Sequence, residues 1–378
     1  MITFLDKILS VIVAVVMAVS TFSFDPLWNR VERTDTDDYI GLKTAYEDYF
    51  LIGAAVSAQS LFDNEEMILK NFNSITCENA MKVYAIQPSE GNWQFGEADA
   101  IANFCRANGI KMRGHTLVWA EAYETCPWML YDGENYASPE LFYARLKTHI
   151  TTIIERYDDV VYCWDVVNEP MNYDRSAVYK DYLIYRLYGG EYVKKTFEFA
   201  AEALDNIGSD AKLFLNETKV VNNTVKMNYT YDLIKNFLEQ GIRVDGVGMQ
   251  GHFDFYSPNE SARRLDKYIK RFASLGIDVE ITEMDITVYD DMIPGAKYET
   301  LPRWRETLQR ERYRMFFKVL RDNADVITNV TFWGVNDAVS YRGISKDRQD
   351  WPLLFDKDSN PKSNYYAVTD FYFEKSVK

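Results

Sequence analysis

Val279-Glu280-Ile281-Thr282-Glu283-Met284-Asp285 sets β-branched residues ahead of two acids spaced two apart. Val279 and Ile281 favour a strand, on which alternate side chains share a face. Glu283 and Asp285 therefore point the same way. Two acids on one face of a buried strand are costly unless partnered. The run is either a strand end in solvent or a carboxylate held for chemistry beside a supporting acid.

Working outward, seven more β-rich runs accompany 278–282: 50–56, 74–77, 111–119, 160–167, 212–215, 244–250 and 329–333. Helical patterns separate them. Ser138-Pro139-Glu140 supplies a cap and a first-turn proline for a helix reaching about Tyr157. Gly109 and Gly276 close two others. Leu301-Pro302 opens a long one to about Arg321, and Asn360-Pro361 opens the last. Eight short strands alternating with helices imply parallel pairing, in a closed barrel or an open doubly wound sheet. An open nucleotide-binding sheet calls for GxGxxG after its first strand, and Gly53-Ala54-Ala55 does not supply it. Polar residues gather where the strands end: Glu78-Asn79, His115, Asn168-Glu169, Gln250, His252, Glu283 and Asn336-Asp337. Barrels keep their chemistry there. The expected fold is a single α/β domain, a (β/α)8 TIM barrel over 42–376, behind a lead-in at 21–41.

Residues 1–20 read as a signal peptide: Lys7, an apolar run over 8–19, then Ala18-Val19-Ser20 for cleavage. The run is short of the roughly 20 residues that cross a bilayer. A secreted, monomeric protein without stable membrane insertion is expected. A buried or interfacial helix is the other reading of the same run. The net charge of -15 argues against nucleic acid or an anionic membrane as partner. Cys77, Cys105, Cys126 and Cys163 lack CxxC spacing, which speaks against a zinc or redox site and leaves any disulfide pairing open.

Trp164-Asp165-Val166-Val167-Asn168-Glu169-Pro170 ends in a proline that stops the strand and leaves Glu169 at the rim. Glu169 and Glu283 on opposed strands can flank one bond, the equipment of glycoside hydrolysis, with Glu169 as acid then base and Glu283 as nucleophile. Gln250 and His252 are two apart, so His252 is placed to link Glu283 with Asp285 and keep Glu283 ionised. His149 falls inside a helix and reads as structural or exposed. A zinc site from His115, His252 and a carboxylate is the rival, but HExxH is absent and no metal or other cofactor is expected. An acid that holds its proton near neutral pH implies a raised pKa for Glu169, from desolvation and the Glu283 charge.

These motifs resemble glycoside hydrolase family 10, whose typical members are endo-β-1,4-xylanases. The marks are Thr76-Cys77-Glu78-Asn79-Ala80-Met81-Lys82, Gly114-His115-Thr116-Leu117-Val118-Trp119, Trp164 to Glu169, Gly248-Met249-Gln250-Gly251-His252 and Ile281 to Asp285, then Trp333-Gly334-Val335 and Leu353-Leu354-Phe355-Asp356. The resemblance implies a (β/α)8 barrel and a retaining mechanism on xylan. It assigns Glu169 as acid/base and Glu283 as nucleophile. Asn168 would hold the sugar 2-hydroxyl, with Gln250, His252 and Asp285 supporting the nucleophile. Glu78, Asn79, Lys82, His115 and Trp119 would grip the xylose, Trp333 would be its floor, and Tyr341 would stand where the family has tryptophan.

The chain departs from the family's usual pattern at several points. Ala120 and Ala122 replace a histidine and a glutamine, Ala80 a glutamate, and Asn216-Glu217-Thr218-Lys219 the usual Asn-Asp-Tyr-Asn. These changes bear on sugar grip and substrate range, with Glu121 or Glu217 placed to compensate. A retaining β-glycanase for decorated xylan or β-1,4-glucan, and a weakly active carbohydrate-binding protein, are the alternatives.

Overall fold

The computed structural model describes residues 39–375, apart from 125 and 291–295. The signal-peptide reading of 1–20 and all but the end of the lead-in lie outside the described residues. Eight strands form the frame: β1 (Leu51–Val56), β2 (Ser74–Cys77), β3 (Lys111–Gly114), β4 (Val161–Asn168), β5 (Lys212–Glu217), β6 (Gly246–Met249), β7 (Asp278–Thr287) and β8 (Ile327–Phe332). Each pairs in parallel with the next, and β8 pairs with β1, so the sheet closes. It is a (β/α)8 barrel, as the polar residues gathered at the strand ends implied.

Eight longer helices cover it: α1 (Glu65–Asn71), α2 (Gly96–Asn108), α3 (Pro139–Tyr157), α4 (Glu191–Ile207), α5 (Thr224–Glu239), α6 (Ala262–Ala273), α7 (Arg303–Asp322) and α8 (Ser363–Lys375). α6 shows why such segments are helical. Leu265, Tyr268, Ile269 and Phe272 recur at helical spacing and are buried, and the Ser261 hydroxyl caps its first turn. α3 starts as its sequence indicated, with Ser138 accepting from the Leu141 amide at 3.3 Å and Pro139 in the first turn.

Two strands differ from expectation. The 111–119 run breaks after Gly114, and only Val118–Trp119 resumes pairing, with β4. A β-carbon at Gly114 would collide with the Trp164 ring, so the backbone passes where only glycine fits. The 278–282 run instead continues to Thr287, with a register shift between Ile281 and Met284. Its acids are partnered, which removes the reason to end the strand.

The barrel interior carries a buried ionic layer. Arg113 on β3 pairs with Asp165 on β4, and its Nε lies 2.7 Å from Glu280 on β7. Glu280 also accepts from Tyr162 at 3.1 Å and Thr328 at 2.9 Å. This layer ties four strands together beneath the mouth. All four cysteines are free and buried, and the Cys163 thiol lies 3.9 Å from Glu280 within this layer. His149 is buried too, bonded through Nδ1 to Gln87 Oε1 at 2.7 Å. Burial with a neutral partner lowers its pKa to about 3, which marks it as structural.

Candidate active site

The strand C-termini deliver a connected set of polar groups. Glu283 on β7 is 5% exposed, and both its oxygens are held. Asn216 Nδ2, at the end of β5, donates to Oε1 at 2.8 Å. His252 Nε2 faces Oε2 at 3.0 Å, while its Nδ1 lies 2.7 Å from Asp285 Oδ2. His252 thus bridges the two acids of β7. Arg342 grips the other oxygen of Asp285, at 2.7 and 2.8 Å. Burial pushes Asp285 up, but Arg342 and His252 outweigh it and hold the carboxyl below its usual range.

Glycine decides two steps of this construction. A β-carbon at Gly248 would strike Asn216 Oδ1, so β6 passes close enough for Asn216 to reach Glu283. Gly251 adopts φ +83°, a left-handed turn that ends β6 and starts the short strand His252–Asp254 beside Asp285.

Glu169 follows β4 with φ 55°, a conformation rare for a residue bearing a side chain and costing on the order of 1–3 kcal/mol. Its amide donates to Asn216 O at 2.9 Å, which helps hold the turn. Gln250 Nε2 donates to Glu169 Oε1 at 2.9 Å and reaches Asn168 Oδ1 at 3.3 Å. Asn216 Nδ2 also donates to Asn168 Oδ1, at 2.9 Å. Three side-chain amides therefore run without a gap from one glutamate to the other.

On the opposite side of the mouth, Lys82 donates to Asn79 at 2.9 Å and lies 4.9 Å from the Trp119 ring and 6.0 Å from that of Trp333. Glu78 is half-buried; burial raises its pKa against the pull of Lys82. His115 Nδ1 is 2.8 Å from Asp165 and its ring meets Trp333 edge-on at 5.2 Å. Tyr341 packs edge-on against His252 at 5.3 Å. Every residue named from the sequence for this site sits at the same end of the barrel. Trp333 is only 8% exposed, so only a narrow patch of its ring reaches the surface. Among the described residues no three His, Cys, Asp or Glu side chains are arranged to hold a metal, and each site histidine is committed to carboxylates.

Residues 41–371 match the family described as Glycosyl hydrolase family 10.

The chain belongs to that family, and it is a glycoside hydrolase.

Endo-1,4-beta-xylanase A of Caldicellulosiruptor saccharolyticus is 40% identical over 340 residues, covering 88% of this chain and 96% of that protein. An endo-1,4-beta-xylanase/feruloyl esterase of Xylanibacter ruminicola is 39% identical over 351 residues, 88% of this chain. The chain spans about half of that relative's length, 47%. A crystal structure of xylanase XynB from Paenibacillus barcinonensis, complexed with a conduramine derivative, superposes with a TM-score of 0.83 at 35% identity, covering 88% of this chain and 99% of that one.

Two expectations need correction within this family frame. The pKa of Glu169 is not raised. Burial does push it up, but the Lys180 ammonium, 2.7 Å from Oε2, and the Gln250 amide override burial and lower it to about 2. Nothing in the local sequence announced Lys180, which arrives through a loop eleven residues on. Glu217 does not compensate at the groove: it is fully buried, 2.6 Å from Lys226, and accepts from the Met171 and Thr218 amides. Ala120 and Ala122 are buried too, so the missing imidazole and amide are not replaced there. Glu121 accepts from Tyr182 at 3.0 Å.

Sequence reasoning also missed Asn216 and Thr282, whose hydroxyl donates to Asn216 Oδ1 at 2.6 Å and fixes which way the amide points. The signal existed: Asn216 stands next to the end of β5, in register with Asn168 at the end of β4.

Burial pushes the His252 imidazole down, but Asp285 and Glu283 outweigh it and raise its pKa to about 9. An unfolded imidazole titrates near about 6.5. The imidazolium therefore stabilises the fold fully below about 6.5, and that contribution is lost as pH rises through about 9. The wild-type Tm is expected to drop across this window, and His252→Gln, which cannot titrate, to flatten the drop. A variant Tm that falls as steeply as the wild type would assign the transition to another group.

Proposed function

We propose that the protein is a retaining endo-1,4-β-xylanase that cuts internal bonds of xylan. In the first step a Glu283 oxygen bonds to the anomeric carbon while the glycosidic C–O bond breaks and Glu169 gives its proton to the departing oxygen. In the second, water attacks that carbon, its proton passes to Glu169, and Glu283 leaves. The observation that carries this reading is the unbroken amide chain Gln250–Asn168–Asn216 between the two carboxyl groups. It fixes both about one space at the mouth of the barrel. His252, Asn216 and Asp285 orient the nucleophile. Glu78, Asn79, Lys82, His115, Trp119, Trp333 and Tyr341 line the side where the xylose would be gripped. The names of the relatives support xylan as the polymer, and the leader-like run at 8–19 supports export. Among the described residues no helix is long and apolar enough to cross a membrane.

Product analysis tests the reaction. Fresh xylo-oligosaccharide product, followed by NMR before mutarotation, should carry the β-anomer. An initial α-anomer would rule out double displacement. A second reading, a β-glycanase of shifted specificity, rests on the buried Ala120 and Ala122. It predicts faster turnover of arabinoxylan or a soluble cellulose derivative than of plain xylan.

A further inference from the structure

Glu169 must carry a proton when the glycosidic bond breaks and must lack one when water attacks. The structure equips it for the second state. Its Oε2 lies 2.7 Å from the Lys180 ammonium, which is 8% exposed. Lys180 is not a wandering surface chain. Its amide donates to Pro170 O at 2.9 Å, and Met171 bridges Tyr179, so the loop folds back and delivers the ammonium beside the glutamate that starts it.

A second buried pair stands behind the first. Glu217 on β5 and Lys226 on α5 are both fully buried, 2.6 Å apart, and Glu217 holds the Met171 amide at 2.9 Å. The Lys226 ammonium lies 4.0 Å from the Tyr173 ring, and Lys180 lies 5.2 Å from the same ring. Other charged or titratable groups act on Glu169 from each side: Lys82 from the loop after β2, Glu217 from β5, Tyr182 from its own loop and Tyr341 after β8. From the turn after β6, Gln250 contributes a neutral amide. Lys180 is the one of these cations within hydrogen-bond distance of a Glu169 oxygen.

We propose that Lys180 is a positioning residue that governs the protonation of Glu169, holding it as the carboxylate that accepts a proton from water at the expense of the acid that cleaves the sugar chain. This rests on Glu169 being the acid/base. No atom is gained or lost through Lys180. It keeps its own proton throughout, and the proton donated to the leaving oxygen comes from Glu169 and is restored from water. The cost falls on the first step alone, and only for leaving groups that need protonation.

Two substrates separate the steps within one enzyme preparation. Xylotetraose needs the acid, whereas a 2,4-dinitrophenyl β-xylobioside does not, because its phenolate leaves unassisted. The ratio of their kcat/KM values is independent of the fraction of enzyme folded. In Lys180→Met the ratio at about pH 7 should rise about tenfold for each unit by which the Glu169 proton is held more tightly. The alkaline limb for xylotetraose should shift upward by about one pH unit or more. Lys180→Arg, which keeps the charge, should retain the wild-type ratio and limb. A rise below about threefold in Lys180→Met, or an unmoved limb, overturns the proposal. So does an equal rise in Lys180→Arg. Glu169→Ala separates the two failures. If it keeps full xylotetraose hydrolysis, the acid/base assignment falls. If it loses that hydrolysis while Lys180→Met behaves as wild type, only the role of Lys180 falls.

Discussion

Glu283→Ala should abolish xylan hydrolysis, with kcat falling by roughly 10⁵, about 7 kcal/mol of transition-state stabilisation. The alanine leaves no oxygen to bond the anomeric carbon, so the reaction cannot be split into two displacements. It also leaves the His252 imidazolium and the Asn216 amide facing an empty space. A small anion can enter that space. Added azide should restore cleavage of an activated aryl xylobioside and yield the α-glycosyl azide, the product of a single inverting attack. A variant retaining more than about one per cent of wild-type xylan turnover would exclude Glu283 as the nucleophile.

Glu169→Ala should behave differently. Xylan turnover is expected to fall by about 10²–10⁴, the usual worth of a positioned proton donor. The dinitrophenyl xylobioside should still form the glycosyl-enzyme, because its leaving group needs no proton. Water attack then lacks its base, so a burst of dinitrophenolate should be followed by slow turnover and a depressed KM. Azide needs no deprotonation and should speed the second step, giving the β-glycosyl azide. The opposite anomers from the two variants distinguish the two glutamates. If both variants give the same azide, or Glu169→Ala shows no burst, the division of roles is wrong.

The frame and the two glutamates were readable because their signals are local. Val279-Glu280-Ile281 declares a strand by residue type, and Pro170 ends another by denying it a donor. Gln250 and His252 could be read as neighbours of Glu283 because both follow a strand that must sit beside β7. Lys180 could not be read. Its 2.7 Å contact with Glu169 depends on how ten loop residues fold back, and loop paths are set by small energies. The pKa expectation failed for that reason: the sequence announces burial but not the charge that burial brings close.

The order of strands, the caps and the rim positions of Glu169 and Glu283 were therefore determined by the chain itself, through propensity and spacing acting over a few residues. Three things waited for the tertiary structure: the amide path joining the two acids, the burial of Glu217 against Lys226, and the ammonium on Glu169. Each depends on distances between segments remote in sequence. Electrostatic energy changes steeply with distance and with exclusion of water, and neither is fixed until the barrel has closed.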